Sequence, residues 1–142
     1  MLARGEFELD ADIVSDTRSL WPQVDRILGP DVRVMRDATR GGVASVLNEL
    51  ARAAKVAMLV REKHVPVAAA VAGACELLGI DPMYVANEGV FVAIVAPDVT
   101  APGFVDIGEI KTEPPGMVLV ATAFGGKRVM DELVGDPLPR IC

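Results

Sequence analysis

The sequence predicts a domain of the α/β or α+β class, built on a mixed β-sheet that helices cover. Two observations support this prediction. Strand-like and helix-like segments alternate along the chain, and long apolar strands occur late in it. This order of elements implies a mixed sheet with helices covering it. With 142 residues, of which 51% are hydrophobic, the chain is long enough to bury the core of one domain.

Charge and composition exclude several classes of function. The net charge of −6 argues against a general nucleic-acid-binding protein, although a single phosphate could still bind locally. The longest apolar run, residues 65–75, is shorter than the roughly 20 residues that span a bilayer, so no membrane association is expected. One histidine and two cysteines cannot supply a conventional closed zinc site, and no metal site is predicted. Few cysteines and no signal-peptide pattern favour a cytoplasmic location.

The chain begins with a predicted strand and helix. Apolar and acidic residues alternate over residues 7–13, which predicts a strand with an acidic outer face. Ser15 or Asp16 is expected to cap the helix that follows and that ends at Gly29. Pro22 fits only the first turns of this helix.

A strand, a tight loop and a helix are predicted over residues 32–51. Asp37 and Thr39 are residue types that favour the N-cap position of a helix. Gly41 and Gly42 allow close backbone approach or a positive φ. Apolar residues then recur at helical spacing and predict one buried helix face.

The loop within this segment is a candidate anion-binding site. Free N–H groups and the macrodipole at a helix N-terminus favour an anion, and Arg36 and Arg40 flank the loop. Charge-assisted hydrogen bonds from these arginines would strengthen such a site. The alternative is an ordinary capped helix whose arginines face water. The Lys and Gly spacings of a Walker loop or a dinucleotide fingerprint are not found here.

Later segments predict further strands and helices. A helix over residues 67–78 is expected to end at Gly79 and to contain Cys75 as a small buried hydrophobe. His64 is expected in a solvated turn. Strands are predicted over residues 56–60, 90–96, 105–110 and 117–122, and a short helix after Gly126 turns Val129, Met130, Leu133 and Val134 inward.

Glu88 lies in a polar break, Asn87-Glu88-Gly89, between a short extended segment and the apolar strand that begins at Val90. Burial raises the pKa of a carboxylic acid toward neutrality, so a partly buried glutamate here would suit proton transfer. The alternative is a turn residue that faces water.

Cys142 ends the sequence. Two prolines precede it, so we expect a domain over residues 1–134 followed by an extended, flexible tail over residues 135–142. A thiol on such an arm can enter a partner's active site and react as thiolate. An incidental cysteine on a frayed end is the alternative.

Three separated segments resemble the hydrogenase maturation factor HypE family. The first is Arg36-Asp37-Ala38-Thr39-Arg40-Gly41-Gly42 with Asn48-Glu49. The second is residues 77–89, and the third is the tail Pro139-Arg140-Ile141-Cys142. The resemblance covers nearly the whole chain. It corresponds to the C-terminal half of that family, a domain of the type shared with aminoimidazole ribonucleotide synthetase and selenophosphate synthetase.

The resemblance implies a role in [NiFe] hydrogenase maturation. Cys142 would accept a carbamoyl group from HypF, and ATP would be used to dehydrate the thiocarboxamide to a thiocyanate. The cyano group would then pass to iron on the HypC–HypD complex. Glu88 matches a candidate proton acceptor of the family. The loop that comprises Asp37, Ala38, Thr39, Arg40, Gly41 and Gly42 matches a region that faces the nucleotide.

The sequence also departs from the family pattern. The N-terminal half, which binds ATP and Mg²⁺, has no counterpart here. We therefore expect no tightly bound cofactor and a need for an N-terminal ATP-binding domain as a partner. Ala38 replaces the usual proline, and Val90 stands where lysine is common. A short loop replaces the family's helix between residues 96 and 105, which would expose apolar surface and favour a homodimer.

Two alternatives to a catalytic domain remain at this stage. The chain could dock HypF or HypC–HypD without taking part in the chemistry. It could also be a fragment whose exposed sheet drives self-association.

Overall fold

A computed structural model describes residues 15–99 and 101–133. Along the chain these residues form α1 (Trp21–Ile27), β1 (Val32–Asp37), α2 (Gly42–Ala54), β2 (Ala57–Arg61), α3 (Ala69–Leu78), β3 (Phe91–Val95), β4 (Gly108–Lys111), β5 (Val118–Ala121) and β6 (Lys127–Val129). Single 3₁₀ turns follow β2 and α3 over Glu62–His64 and Pro82–Tyr84. The predicted strand over residues 7–13 and the predicted tail lie outside the described residues.

The strands form two sheets, both built by pairing across long stretches of sequence. β1 and β3 pair antiparallel, with Asp37 opposite Phe91. The second sheet has the order β4-β2-β5-β6, in which β2 and β5 are parallel and the other two pairs are antiparallel. The predicted fold class, a mixed sheet covered by helices, is therefore confirmed.

Helix α2 supplies most of the helical contribution to the core. Its apolar stripe packs on β2 and β5 because residues three and four apart share one face of a helix. The buried cluster comprises Ala44, Val46, Leu47, Ala51, Met58, Val60, Met83, Val92, Val118, Val120 and Met130. The helix predicted after the first loop is thus present. Of its predicted apolar face, Val46, Leu47 and Ala51 are buried, Val43 and Leu50 are half-buried, and Ala54 is exposed.

The prediction of a helix after Gly126 is wrong. Residues Lys127–Val129 form β6, and Leu119 of β5 lies opposite Val129. A tight turn joins the two strands, with the Thr122 amide donating to the Gly126 carbonyl at 2.8 Å. Cross-strand pairing with β5 outweighs the local apolar spacing that favoured a helix.

Helix α1 differs from its prediction at its beginning. Leu20 is the N-cap residue and makes no side-chain capping bond, so neither Ser15 nor Asp16 caps this helix. Pro22 lies in the first turn as predicted. None of the seven residues of α1 is buried, and Trp21 is 63% exposed.

The connection between β3 and β4 contains no helix among its described residues, as predicted from its prolines. Phe104 from this loop packs against Phe91 of β3 in an edge-to-face arrangement with ring centroids 5.6 Å apart. The following strand starts later than predicted, at Gly108. Within the described residues, no helix combines the length and the apolar character that crossing a bilayer requires.

Candidate functional site

The loop between β1 and α2 is shaped by its two glycines. Gly41 and Gly42 both adopt φ +65°, a left-handed conformation that residues other than glycine rarely adopt. A Cβ on Gly42 would lie only 2.5 Å from the carbonyl oxygen of Met83 and 2.6 Å from that of Val85. The close approach predicted for this pair is therefore found, and it brings the loop against the segment that precedes β3.

The predicted N-cap role of Asp37 and Thr39 is wrong. Gly41 is the N-cap residue, and no side chain makes a capping hydrogen bond there. Instead, the Thr39 hydroxyl donates a hydrogen bond to the Asp37 carboxylate. This bond is the main reason that the pKa of Asp37 lies below its ordinary value, with a smaller contribution from Arg36. The loop therefore presents an ionised carboxylate at neutral pH.

The two arginines that flank the loop have different environments. Arg36 forms an ion pair with Glu49 of α2 at 2.9 Å, so its guanidinium joins β1 to α2. Arg40 is exposed, and within the described residues it forms no ion pair. Of the two, Arg40 is the arginine available to an incoming anion.

The Asn87-Glu88-Gly89 turn lies directly beside this loop. The Ala38 amide donates to the Val90 carbonyl at 3.1 Å, and the Asn87 amide donates to the Ala38 carbonyl at 3.0 Å. Ala38 is fully buried between these bonds. Pairing of β1 with β3 thus places the predicted loop and Glu88 at the same end of one sheet.

Glu88 is exposed, so the partial burial that would favour proton transfer is not found in this chain. Its carboxylate accepts a hydrogen bond from the Thr17 hydroxyl at 3.1 Å. Its backbone amide donates to the Asp16 carboxylate at 2.6 Å, and the Gly89 amide donates to the Asn87 side chain at 3.0 Å. The turn is held firmly while the carboxylate remains accessible.

The segment Asp16-Thr17-Arg18 is the part of the site that the sequence did not reveal. Besides the bonds above, the Arg18 guanidinium donates to the Gly89 carbonyl at 2.9 and 3.1 Å. These partners are separated by more than 70 positions in the sequence, so no local pattern reports the contact. Of these three residues only Asp16 was predicted to have a role, as a helix cap, and all three instead hold the Glu88 turn.

The remaining predicted residues are only partly placed. Cys142 lies outside the described residues. Cys75 is a buried free thiol in α3, as predicted, and its burial raises its pKa above the ordinary value, with a smaller contribution from Asp81. His64 is exposed, and its Nδ1 lies 3.1 Å from the Asp106 carbonyl oxygen. Among the described residues, no cluster of three His, Cys, Asp or Glu side chains has a metal-binding arrangement.

Fold and sequence together define the class of this protein. The chain belongs to the family described as AIR synthase related protein, C-terminal domain, which it matches over residues 4–109. The match includes the loop from Asp37 to Gly42, the Glu88 turn and all elements from α1 to β3.

Within that class, the chain is most informatively compared with HypE proteins. It is 44% identical over its whole length to the carbamoyl dehydratase HypE of Bradyrhizobium diazoefficiens and 41% identical over 98% of its length to that of Escherichia coli. It spans 45% of each of these relatives, about half of their length. The predicted resemblance to HypE is confirmed.

Solved structures agree with this comparison. A hydrogenase maturation protein HypE in complex with ATP superimposes with a TM-score of 0.83 at 32% identity, which covers 94% of this chain and 46% of that one. HypE in a HypE–HypF complex gives a TM-score of 0.83 at 33% identity, over 92% and 47% of the two chains.

Proposed function

We propose that this chain acts in hydrogenase maturation as the thiol-bearing part of a HypE-type carbamoyl dehydratase. The observation that carries the proposal is the junction between the Asp37–Gly42 loop and the Glu88 turn through the two backbone hydrogen bonds of Ala38. Both segments belong to the resemblance to HypE, and the relatives bear the name carbamoyl dehydratase. ATP would be bound by a unit outside these 142 residues, together with Mg²⁺.

The proposed reaction begins at Cys142. Its thiolate attacks the carbonyl carbon of a carbamoyl group on HypF, so that a sulfur–carbon bond forms and the donor group leaves. Transfer of the γ-phosphoryl group of ATP to the carbamoyl oxygen converts that oxygen into a leaving group. Loss of phosphate and of both nitrogen-bound protons leaves a thiocyanate. The sulfur–carbon bond then breaks as the cyano group passes to iron on HypC–HypD. The bonding pair stays on sulfur and regenerates the thiolate, so formation of a cyanide ligand consumes two electrons, which a two-electron reductant on the iron-bearing acceptor would supply.

Glu88 is the proposed acceptor of a nitrogen-bound proton. The hydrogen bonds from Thr17 and to Asp16 hold the turn, so the carboxylate is oriented before a substrate arrives. Its exposure suits a site that becomes closed only when an ATP-binding unit covers it. Closing such a site expels water and strengthens the electrostatic interactions inside it.

The Asp37–Gly42 loop is proposed to face the nucleotide. The ionised Asp37 carboxylate would repel a bare phosphate, so it suits a phosphate accompanied by Mg²⁺. The Arg40 guanidinium and the first N–H groups of α2, which lack a side-chain cap, provide positive potential for phosphate oxygens.

A docking module without chemistry is the second candidate function. Its specific support is the exposed apolar surface of α3, where Leu77 is 76% and Leu78 is 39% exposed. A surface of this kind suits a protein partner such as HypF or HypC–HypD. A self-associating homodimer would use the same surface.

The mass of the chain after incubation with HypF, carbamoyl phosphate and ATP tests the first proposal. We expect a carbamoyl adduct on Cys142 and none on Cys75, whose thiol is buried and serves as an internal control. Binding to HypF without any adduct would favour the docking module. A cyano adduct would contradict the need for a separate ATP-binding unit.

Glu88→Gln separates acceptance of the carbamoyl group from its dehydration. With an ATP-binding unit supplied, this variant should still gain the carbamoyl adduct but should form thiocyanate about 100-fold more slowly or worse, because the amide cannot accept the proton. Glu76→Gln, a change of the same chemistry on the exposed surface of α3, is the matched control. Unchanged dehydration by Glu88→Gln would rule out the proposed role.

A further inference from the structure

Four side-chain hydrogen bonds converge on the last described residues of the chain. The buried Asn48 amide of α2 donates to the Met130 carbonyl at 2.9 Å. One turn later on the same helix, Arg52 forms ion pairs with Asp131 at 2.9 Å and with Glu132 at 2.5 Å. The Tyr84 hydroxyl donates to the Asp131 carbonyl at 2.8 Å. We call Asn48, Arg52 and Tyr84 the root anchor.

The root anchor acts on a segment that already leaves the core. Met130 is fully buried and its amide donates to the Val118 carbonyl of β5 at 2.9 Å, whereas Asp131 and Leu133 are exposed. Backbone pairing with β5 therefore ends at Met130, and beyond it Arg52 and Tyr84 supply the hydrogen bonds and ion pairs to other elements. Two hydrogen bonds and two ion pairs hold three consecutive residues, so this segment is fixed to other elements rather than only continuing from β6.

The same elements also build the candidate site. Gly42 begins α2 and approaches the carbonyls of Met83 and Val85, on either side of Tyr84. The candidate loop therefore leads into the start of α2 and contacts the 3₁₀ turn. The root anchor is built from later residues of the same helix and from Tyr84 of the same turn. The position of residues 130–132 is fixed relative to the loop by a single packed unit.

The covalent chain limits the reach of the thiol from this point. Cys142 follows Leu133 by nine positions, and a fully extended chain of that length spans about 30 Å. The effective concentration of a tethered group depends on the length of its tether and on where the tether is attached. Release of residues 130–133 would lengthen the tether and move its point of attachment.

We propose that the root anchor positions the Cys142 thiol by fixing where its tether begins, an inference that rests on the proposed function. Asn48, Arg52 and Tyr84 are positioning residues in this account, since none of them needs to contact the reacting atoms. Their four contacts would keep the tether short and so raise the effective concentration of the thiol near the site.

Spin labels test the anchor without any activity. Labels on Lys111→Cys and Leu133→Cys, in a chain with Cys75→Ala and Cys142→Ala, report the distance between β4 and the root. Combining Arg52→Gln with Tyr84→Phe should widen the distance distribution at least about twofold, because three of the four contacts are lost while the ring, the helix and the Asn48 bond to Met130 remain. Arg61→Gln, which removes the ion pair of the half-buried Arg61 with Asp106 at 2.6 Å, should leave the width unchanged. An unchanged width in the double variant would overturn the anchor.

Reactivity of the thiol tests the positioning. In the chain with its natural cysteines, the double variant should accept the carbamoyl group from HypF about three- to tenfold more slowly. Its Cys142 should react with iodoacetamide at the natural rate, since the thiol itself is unaltered. Equal transfer rates despite a widened distribution would overturn the positioning role. If even the natural chain accepts no carbamoyl group, the proposed function fails, and the distance measurement still decides whether the anchor exists.

Discussion

Helices α2 and α3 are both apolar, yet the fold uses them differently. Six of the thirteen residues of α2 are buried, whereas only Ala74 and Cys75 are buried among the ten of α3. The reason lies in how the apolar residues are distributed. In α2 they form one stripe opposite charged residues, and in α3 small and apolar residues occur on all sides. A helix with one apolar face is oriented by the core, while α3 leaves much of its apolar surface exposed.

The largest expected difference in the free energy of unfolding is between alanine substitutions of two glycines, Gly42 at the start of α2 and Gly79 at the end of α3. Gly42→Ala should destabilise the chain by about 4 kcal/mol or more, because the left-handed conformation is strained and the new Cβ collides with two carbonyl oxygens. Gly79→Ala has the same φ of +65° but nothing within 4 Å of its Cβ, so only about 1–2 kcal/mol should be lost. Urea denaturation of both variants measures the difference. Equal losses would mean that α2 does not depend on this close approach.

The next effect compares one leucine on each helix. Leu47→Ala in α2 should cost about 3 kcal/mol, since the side chain is 3% exposed and its removal leaves a cavity. Leu77→Ala in α3 should change the free energy of unfolding by about 0.5 kcal/mol or less, since that side chain is 76% exposed. Chemical denaturation of the two variants provides the values. A large loss for Leu77→Ala would show that α3 packs within the chain after all.

A smaller effect concerns the buried thiol of α3. Burial raises the pKa of Cys75 in the folded chain, so the unfolded chain loses its thiol proton first as pH rises. Stability should therefore be unaffected near pH 7 and should fall above about pH 8.5, by at most about 1.4 kcal/mol per pH unit. Thermal unfolding from pH 7 to 9.5 in a Cys142→Ala background measures it. Adding Cys75→Ala should flatten the profile, and a slope that persists in that double variant would assign the effect to another group.

The smallest effect is expected where the loop departs from the family pattern. Ala38→Pro removes the amide that donates to the Val90 carbonyl, at a cost of about 1 kcal/mol. The restriction that proline places on the unfolded chain does not compensate where the native N–H was hydrogen-bonded. The net change in the free energy of unfolding should therefore be a loss of about 1 kcal/mol. Ala53→Pro within α2, where the helix forbids proline, is the contrasting control and should cost about 3 kcal/mol.

Local patterns predicted those parts of the fold that local energetics determine. The strand, loop and helix over residues 32–51 were predicted because alternation, glycines and a helical stripe all agree there. The helix predicted after Gly126 failed because a partner strand, β5, decides the conformation of Lys127–Val129. Side-chain burial in α3 also depends on tertiary packing that its own sequence does not specify.

The candidate site shows the same division. The sequence indicated the loop and Glu88 separately, and the pairing of β1 with β3 explains why they lie together. The support from Asp16, Thr17 and Arg18 could not be predicted, because hydrogen bonds across more than 70 positions leave no periodic signal. The exposure of Glu88 was one of two alternatives that the sequence left open.

The parallel pairing of β2 with β5 has a consequence for the order in which the chain assembles during synthesis. Met58 and Val118 are partners in that pairing. One side of β2 therefore has no strand partner until residues much later in the sequence have been synthesised. Until then the ribosome carries a nascent chain whose α2 and β2 display apolar side chains without their final cover. Contacts between such distant residues form slowly, and exposed strands in the interval attract other chains. Chaperone binding is therefore expected to peak after β2 emerges and to end once β5 and β6 are complete.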